Sequence, residues 1–160
     1  MNKNKEKKTI INAIISERIY SLNTSEEDIF LINNLVDSYY RKRIGISNSA
    51  PETMAAAFLW AYSKSNFLWE GDKRWSCQGL AGLFNANPKT VGDATSKIIR
   101  ALRIGYWDKR FCKQSVMKDN PLDKFMMSPS GFIVPKESLN ISSQYPEKQR
   151  KTKEDYLMRR

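Results

Sequence analysis

Between residues 52 and 69 the chain carries Met54, Ala55, Ala56, Ala57, Phe58, Leu59, Trp60, Ala61, Tyr62, Phe67, Leu68 and Trp69, so a helix here is apolar on nearly every face. Such a helix has no side to offer water and must lie at the centre of a fold, ringed by other elements. Ala55, Ala56, Ala57 and Ala61 let neighbouring helices approach closely, while the aromatic residues supply most of the buried area. Ser63, Lys64, Ser65 and Asn66 interrupt the stretch, which argues against insertion into a membrane. The expectation is a mostly all-α fold: five or so helices around a buried aromatic and Ala-rich helix, with a short extended segment and basic tails.

The surrounding helices are legible from their periodicity. Ile11, Ile14, Ile15, Ile19 and Leu22 recur at helical spacing over 9–22. Thr24 and Glu27 have the spacing of a capping box, in which hydroxyl and carboxylate satisfy amides at a helix start. A second helix follows through Ile29, Ile32, Leu35, Val36, Tyr39 and Tyr40 and ends in Arg41, Lys42, Arg43, Ile44 and Gly45. Cations there complement the negative helix terminus, so the cluster has a structural explanation as well as a nucleic-acid one. Beyond residue 105, Pro121, Pro129, Gly131 and Pro135 mark irregular chain, with 131–135 as a short extended piece packing back on the core. The organisation expected is a basic tail over 1–8, one helical domain over 9–141 and a basic tail over 142–160.

Within that domain, residues 75–105 have the pattern of a helix-turn-helix. Ser76 is a good N-cap for a short helix that turns Leu80, Ala81, Leu83 and Phe84 inward, and Gly79 and Gly82 mark close contacts. Asn85, Ala86 and Asn87 form a turn, with Asn85 in the left-handed region and Asn87 capping the next helix. Pro88 suits the first helical position because its missing amide is not needed there. The second helix, 88–104, buries Val91, Ala94, Ile98, Ala101 and Leu102.

Composition narrows the function. Lys and Arg number 27 against 17 Asp and Glu, a net charge of +10, and such a field attracts polyanions. Histidine is absent and the two cysteines, Cys77 and Cys112, lack CxxC spacing, which excludes a Cys/His zinc site within one chain. Without His, and without a nucleophile paired to a base or grouped carboxylates, no enzyme, catalytic residue or cofactor is expected. Neither a signal-peptide pattern nor a long apolar run is present, so the expectation is a cytoplasmic protein with no membrane association.

Nucleic acid is therefore the expected partner, DNA ahead of RNA, with a homodimer or a protein partner as further alternatives. In docked helix-turn-helix units the start of the second helix meets the groove and nearby cations meet phosphate. The candidate contacts are Lys89, Thr90, Asp93 and Ser96 on the groove side, Lys97, Arg100, Lys73 and Arg74 near phosphates, and Lys109 and Arg110 beyond the motif. Gly92 offers no side chain, Asp93 repels phosphate unless it accepts from a cytosine amino group, and no Arg or Gln stands where it reads a base in bidentate fashion. Phosphate contact is thus better supported than base readout. A second reading is an RNA-binding or ribosome-associated factor, with Tyr106, Trp107, Lys109, Arg110 and Phe111 and the tails on RNA. A third is an adaptor that uses the helix-turn-helix to pack against protein.

The blocks Ala55-Ala56-Ala57-Phe58-Leu59-Trp60-Ala61, Asn66-Phe67-Leu68, Leu80-Ala81-Gly82-Leu83-Phe84, Thr90-Val91, Ile98-Ile99-Arg100 and Gly131-Phe132-Ile133-Val134-Pro135 resemble a family of small uncharacterised helical domains. The helical order is also similar, more weakly, to one cyclin-type repeat of the transcription factor IIB class. The first resemblance implies the fold and the helix-turn-helix placement, and brings no activity or catalytic residues. Asn85 in place of the usual glycine and the basic C-terminal extension depart from that pattern.

Overall fold

A computed structural model describes residues 3–42 and 47–137. The chain divides into two compact units, Met1–Met117 and Lys118–Arg160. The boundary falls inside the range expected as a single domain. Arg43, Ile44 and Gly45 and the tail over 142–160 lie outside the described residues.

The first unit is built from helices. They are α1 (Lys3–Arg18), continued by a 3₁₀ turn Ile19–Leu22, then α2 (Glu26–Arg41), α3 (Pro51–Asn66), α4 (Leu68–Gly71), a 3₁₀ turn Lys73–Trp75, α5 (Cys77–Leu83), α6 (Pro88–Leu102) and α7 (Gln114–Lys118), which reaches the unit boundary. The second unit holds α8 (Pro121–Lys124) and two short antiparallel strands, β1 (Phe125–Met127) and β2 (Ile133–Pro135), in the register Met126 opposite Val134. The all-α expectation is met. Within the second unit the extended piece over 131–135 pairs with β1 and leaves Phe132 and Ile133 exposed.

α3 is the central helix. From Thr53 to Asn66 every residue is buried except Trp60, which is half-buried, and Lys64, which is exposed. It packs most extensively on α6, and also on α1, α5 and α2. Ala55, Ala56, Ala57 and Ala61 are fully buried, as the close approach of neighbours requires. Two of its buried polar residues tie down other segments: Ser63 Oγ donates to Trp75 O at 2.8 Å, and Asn66 Nδ2 donates to Phe111 O at 3.0 Å. Asn66 Oδ1 in turn accepts from Lys113 N at 2.7 Å. Of the polar interruption that argued against a membrane span, Ser63 and Asn66 are internal clamps, Ser65 Oγ donates to Ala61 O within α3 at 3.0 Å, and Lys64 is exposed. No helix among the described residues is long and apolar enough to cross a membrane. α3 stops because Phe67 turns left-handed, at φ 55°.

Three local expectations change. The capping box at α2 is formed one residue later than Thr24 and Glu27, by Ser25 and Asp28: Asp28 N donates to Ser25 Oγ at 3.2 Å and Ser25 N donates to Asp28 Oδ2 at 2.8 Å. Asp28 wins because it also meets a buried partner, the Tyr62 hydroxyl, which donates to its Oδ1 at 2.5 Å. Residues 3–8, expected as a tail, are the first turns of α1; Lys8 pairs with Asp37 at 2.6 Å and Lys7 Nζ donates to Ser47 O at 2.9 Å, which holds them on the fold. Ile29 is exposed, and Leu31 takes its place in the buried stripe of α2.

Candidate nucleic-acid interface

The helix-turn-helix unit is α5, a four-residue connection and α6. Ser76 caps α5 by accepting from Gly79 N at 3.1 Å. The α5 terminus closes in a Schellman arrangement: Ala86 N donates to Ala81 O at 2.8 Å, Asn85 N to Gly82 O at 3.3 Å, and Asn85 is left-handed at φ 52°. Asn87 then accepts from Lys89 N at 2.9 Å and caps α6, with Pro88 in its first turn. Arg18, on α1, completes the junction by donating to Leu83 O at 2.6 Å, with its guanidinium 5.6 Å from the Phe84 ring centre. Sequence reasoning missed Arg18, because nothing local marks a cation that caps a helix 65 residues away.

Gly79 and Gly82 part company. A Cβ at Gly79 would stand 2.6 Å from Lys73 O and 2.7 Å from Arg74 O, so the 3₁₀ turn crosses α5 in contact with its backbone. Gly82 faces open space.

α6 is amphipathic in the expected sense. Val91, Ala94, Thr95, Ile98 and Leu102 are buried, and Thr95 Oγ1 donates to Ala57 O on α3 at 3.2 Å. At about 100° per residue, Lys89, Asp93, Ser96, Lys97 and Arg100 fall within roughly one third of the helical wheel, opposite Ile98, with Thr90 at the edge. All six are exposed. Ser96 Oγ turns back to Gly92 O at 3.1 Å. Among the described residues Lys89, Lys97 and Arg100 form no ion pair or side-chain hydrogen bond. The helix therefore presents three free cations and one carboxylate to solvent along one stripe.

The other predicted contacts sit differently. Lys73 is exposed on the 3₁₀ turn that crosses α5. Arg74 is engaged internally: its guanidinium grips Asp72 at 2.7 and 3.1 Å and donates to Ser21 O at 2.8 Å, which holds the Asp72 carboxyl below its usual range. Arg110 is likewise a brace. It binds Asp108 at 2.7 and 3.0 Å and donates to Leu102 O at 2.8 Å, capping the end of α6. Lys42 serves the same terminus by donating to Ala101 O at 2.6 Å. Lys109 is exposed on the loop after α6. Thus the structure gathers the α6 residues on one face and leaves Arg74 and Arg110 as structural bridges.

A cleft of about 390 Å³ opens between Phe67, Leu68 and Trp75, with Asp28, Arg74 and Lys113 on its polar side. Burial alone would raise the Asp28 carboxyl, but bonds from Tyr62 and Ser25 and the Lys113 ammonium at 3.2 Å hold it below the ordinary value. Tyr62 is pushed up by burial and by the same carboxylate. Every charge here is matched by a neighbour, so the cleft is a braced junction and carries no net attraction for an ion. Among the described residues no group of three His, Cys, Asp or Glu side chains is placed to hold a metal. Burial raises the Cys112 thiol to about 11 and Cys77 more modestly, and both thiols are free.

Compared with protein-family models, curated proteins and solved structures, the chain finds no match in any of the three.

Proposed function

We propose that this protein binds nucleic acid, duplex DNA foremost, by laying the solvent face of α6 against a groove and neutralising phosphates. The observation that carries the reading is the stripe of Lys89, Lys97 and Arg100, exposed and unpaired, on the second helix of a helix-turn-helix in a chain of net charge +10. Long cations with no internal partner are available to phosphate, whereas Arg74 and Arg110 are already committed. Gly92 and Asp93, near the start of the same face, favour backbone contact over base readout. Binding is then expected to be steep in salt and tolerant of sequence.

The test is equilibrium binding of a short duplex at moderate salt. Lys97→Glu or Arg100→Glu should weaken binding by about tenfold, since each exchanges an attraction to phosphate for a repulsion. Lys5→Glu, an exposed change of equal charge on α1, serves as the control. Equal loss in all three variants would reduce the stripe to a share of the net charge, and no measurable duplex binding would remove the reading altogether.

A further inference from the structure

The loop that follows α6 contains a feature that duplex binding leaves unused. Phe67, Trp107 and Tyr106 form a stepped series of rings, with centroids 5.7 Å apart for Phe67 and Trp107 and 6.0 Å for Trp107 and Tyr106. Phe111, four residues on, is 1% exposed and anchors the loop in the core, whereas Tyr106 is 78% exposed. Core packing accounts for the first aromatic and not for the last. Trp107 is held left-handed at φ 51°, a conformation that bulky side chains avoid, and Arg103 before it lies at φ 50°. The loop keeps this shape because its ends are fixed: Arg110 bridges Asp108 and Leu102 O, and Asn66 Nδ2 holds Phe111 O.

The charge of the loop itself is one-sided. Arg103 and Lys109 are exposed and form no ion pair among the described residues, and Asp108, the one acid between residues 103 and 113, is neutralised by Arg110. A rigid, exposed ring flanked by free cations has the chemistry that holds an unpaired nucleobase by its face and the adjoining phosphates by charge. We infer that the Tyr106 and Trp107 loop is a stacking platform for single-stranded nucleic acid, with Arg103 and Lys109 on the flanking phosphates. This platform goes beyond the duplex reading and does not depend on it.

The experiment compares binding of oligo(dU), oligo(U) and an abasic strand of the same length to the full chain, in wild type, Tyr106→Ala and Tyr106→Phe. Wild type should prefer base-bearing strands over the abasic one by about tenfold, Tyr106→Ala should lose that preference, and Tyr106→Phe should keep it. Preference between oligo(U) and oligo(dU), which carry the same base and differ in the 2′-hydroxyl, identifies the strand's sugar. Duplex affinity, measured in parallel, should be unchanged by Tyr106→Ala. Absence of a base preference in wild type, its survival in Tyr106→Ala, its loss in Tyr106→Phe, or an equal fall of duplex binding in Tyr106→Ala would each overturn the inference. If duplex binding is absent and the base preference remains, the platform stands and the α6 reading falls.

Discussion

Alanine at two glycines of the same short helix should have opposite effects. In an exposed helix interior, Gly→Ala gains up to about 1 kcal/mol from reduced backbone freedom in the unfolded chain. Gly82 is exposed, and a methyl added there would find no atom within 4 Å, so Gly82→Ala should raise stability by about that amount. At Gly79 the same methyl would meet Lys73 O at 2.6 Å, Arg74 O at 2.7 Å and Arg74 C at 2.9 Å. Carbon contacts relax only near about 3.5 Å, so the turn would have to retreat by most of an ångström. It is pinned against doing so: Lys73 O accepts from Ser76 N at 3.1 Å and Ser76 Oγ at 2.6 Å, and Asp72 holds Arg74 N at 2.9 Å. Overpacking of this kind costs about 1–3 kcal/mol, which exceeds the helix gain. The helix gain is common to both sites, so the two variants should differ by the overpacking cost of about 1–3 kcal/mol, or roughly 2–12 °C in Tm for a chain of this size. Urea denaturation followed by far-ultraviolet circular dichroism measures the difference. A Gly79→Ala protein as stable as Gly82→Ala would refute the claim that the 3₁₀ turn is locked across α5.

Asp28 gives a pH signature. Its folded carboxyl is held below the ordinary 3.8, so its contribution is present above that value and is lost as pH falls through it toward the folded value. Asp28→Asn should be less stable than wild type at neutral pH, and the gap should narrow below about pH 4; a gap constant from pH 7 to pH 3 would contradict the assignment. The thiols should differ in reactivity. Cys112 is 5% exposed with its thiol near 11, whereas Cys77 is half-buried, so a thiol reagent at pH 8 should modify Cys77 first and Cys112 only on unfolding. Mass analysis of the labelled peptides reads the order.

Much of the fold was legible because it is local. The all-round apolar pattern of 52–69 announced the central helix, and Ser76, Asn85, Asn87 and Pro88 each perform the terminal role their chemistry suggests. What escaped the sequence depends on distant partners. The choice of Asp28 over Glu27 in the capping box is made by Tyr62, 34 residues away, and Arg18 finds its carbonyl 65 residues away. The candidate interface was legible in the same degree. The period of α6 sorted its exposed cations correctly, but a basic residue looks identical in sequence whether free or bridged. Only the geometry distinguishes Lys97 from Arg74, which is clasped by Asp72, and from Arg110, which is clasped by Asp108.

The central claim is that Lys89, Lys97 and Arg100 are the phosphate contacts, and the salt dependence of duplex affinity tests it most directly. Each cation on a phosphate releases counterions and adds about 0.9 to the slope of log affinity against log salt. Replacing the three by Gln removes three charges from an exposed face, and an unchanged circular dichroism spectrum would verify the fold. The slope should become shallower by about 2–3, with affinity at low salt falling in step. A triple variant that retains the wild-type slope would place the phosphates elsewhere on the molecule and contradict the account.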